Sequence, residues 1–222
     1  MINLHRHGVD FSVTETTDSL NDFWSRIYPG WEEETYTTIL PYLHKDKTFL
    51  DIGAWQGPIS MVAQKYSKQC ICFEPDPIAF YNLVKNIELN NFNNIIAVNK
   101  AVSSEPSLKI GHATELGGGV SSYVMDGLSV ECDTMSIGQI LEQYGLSEDN
   151  ISLVKIDIEG YECELLKDPV LKELKVPMHI SMHPLLFQDK KAYFDNMNSF
   201  FDGIDYIRQD RDTYEIFIDK RL

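Results

Sequence analysis

Apolar and polar positions along this chain change their period at residue 48. Before it, apolar residues recur at helical spacing. An Asp18-Ser19 start precedes Leu20, Phe23, Trp24 and Ile27, which share one helical face, and Pro29-Gly30 ends the run. A second helical run from Trp31 turns Tyr36, Ile39, Leu40 and Leu43 inward, with Pro41 as its kink or end. Residues 1–17 are polar, lack a helical period and are expected to form an extended arm or frayed end.

From Thr48, short apolar runs alternate with helical ones: strand 48–52, helix 57–66, strand 70–74, helix 77–90, strand 94–99. Repeated β-α units predict a mainly parallel sheet. Segment 103–135 breaks the alternation with Gly111, Gly117-Gly118-Gly119 and Ser121-Ser122, and reads as an insertion with a mobile loop. Its Gly117–Tyr123 stretch is either a substrate lid or a plain surface loop. Helix 136–144, strand 151–157, a helix from Gly160 to about Leu166, strand 178–182 and a helix from about Asp189 to Phe201 follow. IDYIRQ and YEIFID, joined by DRDT, close the chain as a hairpin, so the last strand runs antiparallel. The expected fold is α/β, a seven-stranded mixed sheet with helices on both faces. Residues 1–47 would form an arm and helices packing on a catalytic domain of residues 48–222, and 222 residues suit one folded unit.

Composition narrows the partners. With 43% hydrophobic and 24% charged residues the chain reads as globular rather than disordered. Its formal charge of -15 argues against nucleic acid, whose binders neutralise phosphates with Lys and Arg, and Lys and Arg form no run of four. MINLHRHGVDFSV lacks an apolar leader core and no long apolar stretch occurs, so no membrane insertion is expected. Cys70, Cys72, Cys132 and Cys163 make no CxxC array and read as free thiols in a reducing, cytoplasmic setting, with Cys70 and Cys72 expected on opposite sides of one strand.

The densest chemistry lies in TFLDIGAWQG, residues 48–57, where a strand ends in Asp51 and enters a glycine turn before a helix. Gly53 and Gly57 permit close backbone approach, and Asp51 places an acceptor at the carboxyl edge of the sheet. A dinucleotide fingerprint needs glycines where this chain has Gly53, Trp55 and Pro58, so a pyrophosphate loop is not formed. The acid-x-Gly-x-x-x-Gly spacing instead suits the methionine part of S-adenosylmethionine. Glu74 ends the next strand 21 residues after Gly53, where a carboxylate can accept both hydroxyls of an adenosine ribose. Asp76 either contacts the adenine side or caps the helix starting at Pro77. Trp55 either roofs the cofactor or packs under the preceding helices.

A second acidic strand end occurs in LVKIDIEGYE, residues 153–162. There Asp157 would approach the methionine part and Glu159 the acceptor. Alternatively Asp157, Glu159 and Glu162 merely supply negative charge to a helix start.

DIGAWQG, FEPDP, NKAV at 99–102 and KIDIEGYE, in this order, resemble the FkbM family of S-adenosylmethionine-dependent methyltransferases over about residues 31–184, KIDIEGYE being the most specific element. The resemblance implies a Rossmann-like class I methyltransferase fold and O-methylation of a small-molecule or glycan acceptor, commonly at sugar or polyketide hydroxyls. It carries cofactor roles to Asp51, Gly53, Ala54, Gly57 and Glu74, and more loosely to Ala101 and Asp157. A glutamate before the first strand often joins the methionine end, and Glu32, Glu33 and Glu34 all qualify. Two positions depart from the family: Trp55 stands where Asn is usual, and Ser181-Met182 where an acid is frequent.

Methyl transfer to oxygen requires alignment of a hydroxyl and removal of its proton. Glu159 and His183, each following a strand, are the catalytic candidates, while His179 within its strand is expected in the core. Asp157, Glu159 and His183 could also ligate a divalent metal, an option weakened by the absence of a carboxylate pair after the fifth strand. Two rivals stay open: an N-methyltransferase, although the Asn/Asp-Pro-Pro-Tyr signature of base amino-methylation is missing, and a non-catalytic partner subunit.

Overall fold

The computed structural model describes residues 1–111, 129–184, 189–201, 206–211 and 213–219. The expected N-terminal arm is instead an antiparallel hairpin of β1 (Ile2–Arg6) and β2 (Val9–Val13). Its turn uses positive φ at His7 and Gly8, 45° and 72°. In V-D-F-S-V, residues 9–13, Val9, Phe11 and Val13 are buried while Asp10 is exposed. This is strand alternation, which a search for helical spacing passes over.

Thr17 caps α1 (Asp18–Asp22) by accepting from the Leu20 N–H at 3.3 Å. The helix widens into a π-helical turn at Phe23–Ile27 and tightens at Tyr28–Gly30. Leu20, Phe23 and Trp24 face the core as expected, but Ile27 is 52% exposed, because the wider turn rotates it off the apolar stripe. α2 (Glu33–Ile39) follows, and Pro41 lies in the tight turn that ends it.

β3 (Thr48–Ile52), α3 (Pro58–Ala63), β4 (Gln69–Phe73), α4 (Pro77–Asn90) and β5 (Ile95–Val98) form the first parallel half. β6 (Ala101–Val102), β7 (Ser107–Gly111) and β8 (Ser129–Met135) make a separate small sheet from the insertion, and the Gly117–Tyr123 loop lies outside the described residues. The chain continues through α5 (Ile137–Tyr144), β9 (Ile151–Ile156), α6 (Glu162–Leu165), α7 (Pro169–Glu173), β10 (Pro177–Met182), α8 (Lys190–Phe201), β11 (Tyr206–Arg211) and β12 (Thr213–Asp219). α7 was not anticipated; its start is Asp168-Pro169, with the Asp168 carboxylate accepting from Val170 and Leu171 N–H at 2.8 and 3.2 Å. No helix among the described residues is long and apolar enough to cross a membrane.

The main sheet has seven strands in the order β11-β12-β10-β9-β3-β4-β5, with β12 antiparallel to both neighbours. The mixed sheet with an antiparallel last strand is thus as the sequence predicts. Leu50, Ile52, Ile71, Phe73, Val154 and Ile156 pack on one face; Phe49, Cys70, Cys72 and Leu153 pack on the other, with the N-terminal elements. Cys70 and Cys72 therefore share a face, contrary to the expectation, since residues two apart on a strand project the same way. All four cysteines are free and buried.

Two asparagines of α4 dock the hairpin. Asn90 accepts from Ser12 N–H and donates to Ser12 C=O, both at 2.7 Å, and Asn86 accepts from Thr14 N–H at 3.0 Å. The chain steps outward from β3 to β5, then returns to place β9 and β10 on the other side of β3. This reversal is the switch point at which open α/β sheets bind ligands, between the carboxyl ends of β3 and β9. Phe11→Ala should cost about 3–5 kcal/mol in urea unfolding, as for an aromatic removed from a core; a frayed arm would leave the midpoint unchanged.

Candidate active site

Gly53 has φ 83°, and a Cβ there would stand 1.7 Å from the Asp157 carbonyl oxygen. The two strand ends meet at this point, with Asp157 N–H donating to Ile52 C=O at 2.9 Å. Gly57 has φ 87°, and a Cβ would meet Leu83 at 2.6 Å. Backbone packing therefore demands glycine at 53, and the left-handed backbone favours it at 57. Glu74, at the end of β4, accepts from Trp55 N–H at 2.8 Å and from Asp76 N–H at 2.9 Å, so its carboxyl braces the turn from below. Burial pushes its pKa up to about 8 in spite of these two donors. Asp76 accepts from Ile78 and Ala79 N–H at 2.8 and 2.9 Å, which is the capping role.

Ala54 is buried in the turn and donates its N–H to Phe73 C=O at 3.0 Å. Trp55 meets Phe23 edge-on at 4.8 Å and stacks with Trp24 at 6.2 Å, so it packs against the preceding helices. Ala101 sits in the small sheet, paired with Thr134. In the same NKAV segment Asn99 donates to the Glu74 and Pro75 carbonyls at 2.8 and 3.1 Å, shaping the turn after β4.

Between the strand ends lies Lys155, which the sequence reading passed over. Its ammonium is 3.4 Å from Asp51, 3.2 Å from Asp157 and 3.4 Å from the Gly53 carbonyl, and the side chain is 2% exposed. Burial works to lower the Lys155 pKa, but Asp157, Asp51 and Glu32 outweigh it and keep the ammonium charged. Burial raises the Asp51 carboxyl above its usual range, against Lys155 and the Ser60 hydroxyl, which donates at 2.5 Å. Asp157 is held low: burial would raise it, but Lys155 and then His183 prevail.

The structure separates the three N-terminal glutamates. Glu33 pairs with the buried Arg6 at 2.8 Å, and Glu34 is exposed. Glu32, in the left-handed region at φ 47°, lies within the electrostatic reach of Asp157, Lys155 and Glu215. Burial first, and Asp157 second, push Glu32 up to about 8. Its Oε2 is buried with no hydrogen-bond partner among the described residues. Arg6 fixes this segment, donating to the carbonyls of Tyr28 and, at 2.7 Å, of Trp31, with its guanidinium 4.6 Å from the Tyr36 ring.

Beyond β9 and β10 a second cluster forms. The Nδ1 of His183 lies 2.9 Å from Glu162, and its Nε2 lies 3.6 Å from Asp157 and 3.5 Å from Glu159. Glu162 is fully buried and accepts from Ile158 and Gly160 N–H at 3.2 and 3.0 Å. Burial would lower the His183 pKa; the Glu162 hydrogen bond, Asp157 and Glu159 overcome it and hold it at about 9. Asp157 and Glu159 precede α6, which starts at Glu162, so of the three acids only Glu162 stands at the helix start. His179 is buried as expected, 3.4 Å from Glu215.

Asp51, Gly53, Asp157, Glu159 and His183 thus gather at the ends of β3, β9 and β10, whereas Ala54, Gly57, Glu74 and Asp76 shape the turn on the β4 side. Lys155 and Glu162 complete the first group. Their signals were present in the sequence: a lysine inside the apolar run ISLVKI, and a third acid in KIDIEGYE.

The family model described as Methyltransferase FkbM domain matches residues 44–210. No curated protein matches the chain. Among solved structures, an rRNA-methylase candidate from Clostridium thermocellum is 11% identical with TM-score 0.53, covering 84% of this chain and 93% of its own. A methyltransferase candidate from Escherichia coli is 12% identical with TM-score 0.51, covering 97% and 94%. A precorrin-6y C5,15-methyltransferase from Geobacter metallireducens is 13% identical with TM-score 0.50, covering 93% of each chain. These likenesses show the class I Rossmann-like methyltransferase fold.

The raised Glu74 pKa has a signed consequence. The folded state holds this proton up to about pH 8, while the unfolded carboxyl releases it near 4.5, so stability falls as pH rises between those values. Glu74→Gln, which fixes the neutral form, should relieve about 1–2 kcal/mol of that decline, read from urea midpoints at pH 5 and pH 8. An unchanged slope would mean that Glu74 is ionised throughout.

Proposed function

The chain belongs to the FkbM methyltransferase domain family and is an S-adenosylmethionine-dependent methyltransferase; from that premise we propose that its acceptor atom is a hydroxyl oxygen, on a sugar of a glycan or glycoconjugate. The observation that carries this reading is the part-exposed Asp157–Glu159–His183 group beside the buried Lys155 cluster. A hydroxyl must give up its proton as it is methylated, and this charged, part-exposed group lies at the sheet edge where that proton has to leave.

The residues also fit the cofactor. S-adenosylmethionine supplies a methyl group on a cationic sulfonium and carries an ammonium at its methionine end. We assign that ammonium to Glu32, one oxygen of which is buried with no partner among the described residues, supported by Asp51 and Asp157 through Lys155. The turn at Gly53, Ala54 and Gly57 arrives already shaped by packing. Glu74 uses two of its roughly four lone-pair positions on backbone N–H groups, which leaves acceptor capacity for ribose hydroxyls. Asp76 and Ala101 then contribute by shaping the adenine side rather than by their own polar contacts.

An rRNA acceptor, named for one structural neighbour, is disfavoured by the charge of -15. Amino-methylation of a base is disfavoured by the β9 exit, Asp157-Ile158-Glu159-Gly160, in place of Asn/Asp-Pro-Pro-Tyr. Four unpaired, buried thiols favour a reducing, cytoplasmic setting.

Incubation with methyl-labelled cofactor and a panel of free sugars and glycans should place label in an alkali-stable ether on a sugar oxygen. Label confined to nitrogen, or no S-adenosylmethionine binding by calorimetry, would remove the reading. Glu32→Gln should weaken cofactor binding about tenfold or more, the loss of one charge-assisted contact. Glu159→Gln and His183→Gln should each lower turnover by about 10²-fold with cofactor affinity nearly unchanged.

A further inference from the structure

Among the described residues, Asp157, Glu159 and His183 bring one ligand atom each within 4.8 Å of one another. They arrive from two parallel neighbours: the first two follow β9 and the third follows β10, so all open on one sheet edge. We propose that this group is a site for a hard divalent cation of the magnesium or manganese class, held by Asp157, Glu159 and the Nε2 of His183.

Three observations carry the proposal. First, the His183 Nε2 lies 3.6 and 3.5 Å from the two carboxylates. That exceeds the roughly 2.7–2.9 Å of charge-assisted hydrogen bonds. It matches donors that each sit about 2.0–2.2 Å from a shared ion, and hence roughly 3–3.6 Å apart. Second, the other ring nitrogen is already assigned. Glu162 accepts backbone N–H groups and faces Nδ1 at 2.9 Å, so Nδ1 donates to Glu162 and Nε2, turned to the carboxylates, is the nitrogen that an ion would take in place of its proton. This is the carboxylate–histidine arrangement that fixes the tautomer of a metal ligand. Third, Ser181 is 8% exposed and its hydroxyl has no hydrogen-bond partner among the described residues. The β9–β10 register pairs His179 with Lys155 and Ile180 with Ile156, so one step further sets Ser181 beside Asp157, on the strand face His183 continues.

Two carboxylates and one imidazole favour a hard ion of this class over a soft one. The three ligands are part-exposed, so coordination positions remain for oxygens from outside the protein. Resting on the proposed hydroxyl acceptor, these positions would take its oxygens. A hydroxyl on the ion would be acidified; its proton would leave to water as the methyl–oxygen bond formed and the methyl–sulfur bond of the sulfonium broke, the electron pair of that bond staying on the neutral thioether sulfur. Glu159 and His183 then act by holding the ion. The fifth strand needs no second carboxylate pair, because β9 supplies both acids and β10 the imidazole.

The test uses the full chain stripped with a chelator, without cofactor or acceptor, and follows the electron paramagnetic resonance of free Mn²⁺ during titration. One Mn²⁺ per chain is expected, with a dissociation constant on the order of 10⁻⁴ M or tighter. Glu159→Gln and His183→Gln should each weaken it at least about tenfold, and Glu162→Gln about 10–100-fold through the imidazole it orients. Exposed Glu88→Gln should change nothing. Circular dichroism melting checks each fold, and if His183→Gln unfolds, part-exposed Glu159→Gln decides. Absence of saturable binding, or unchanged affinity in the Glu159→Gln variant, overturns the site. Sugar methylation without Mn²⁺ binding would sink the site alone, and Mn²⁺ binding without sugar methylation would sink only the acceptor reading.

Discussion

The buried ammonium of Lys155 is the constraint around which the rest is arranged. It joins the carboxyl end of β3, through Asp51 and the Gly53 carbonyl, to the end of β9 through Asp157. Lys155 and Asp51 are buried and Asp157 is only part-exposed, so their charges are tolerable only together, and removing one partner of such a buried pair typically costs about 3–5 kcal/mol. The approach that lets Lys155 reach both acids also presses the Asp157 carbonyl into the space a Gly53 side chain would need. The glycine turn is thus a consequence of how β3 and β9 meet, and its readiness for a ligand follows from the packing.

From that junction the N-terminal segment gains its purpose. Two asparagines of α4 clamp the hairpin edge, and the hairpin delivers Arg6 to the carbonyls of Tyr28 and Trp31. With the Arg6–Glu33 ion pair, these contacts hold the chain on either side of Glu32, whose left-handed backbone would otherwise be disfavoured for a residue with a Cβ. A segment distant from the sheet edge in sequence therefore brings a carboxyl within the electrostatic reach of Lys155. This places the first forty residues within the structure of the site.

The sheet was legible because strands buried on both faces stand out as continuous apolar runs, and the acids at their ends mark the carboxyl edge. Helix starts such as Asp76-Pro77 were legible for the same local reason. The hairpin was missed because VDFSV alternates over only five residues inside a polar stretch. Ile27 was misplaced because a π-helical turn changes the angular step, which no spacing rule anticipates. Lys155 and Glu162 stood out as residues but not in their roles: Asp51 and Gly53 come to Lys155 from β3 and His183 comes to Glu162 from the end of β10, and pairing across a sheet is not written in local sequence. The choice among Glu32, Glu33 and Glu34 likewise depended on Arg6, 26 positions before Glu32.

Carboxyl groups outnumber cations where the strands end, and the chain resolves this by two distinct means. Around Lys155 the compensation is structural, since Asp157 remains charged beside a fixed ammonium. At Glu32 burial and Asp157 outweigh the attraction of Lys155, and at Glu74 burial outweighs two backbone N–H donors, so both are raised to about 8 and each is mostly neutral near pH 7. A neutral carboxyl is the less costly species to bury, which lets the site stay folded before any ligand arrives. A cationic ligand reverses that preference. By favouring the ionised forms it displaces their protons, and with Glu32 and Glu74 in the roles proposed for them its binding free energy would include the work of ionising both. A neutral nucleoside lacking the sulfonium and ammonium would have nothing with which to drive that ionisation. On that proposal, discrimination for the charged methyl donor would rest on the resting protonation of the site as much as on its shape.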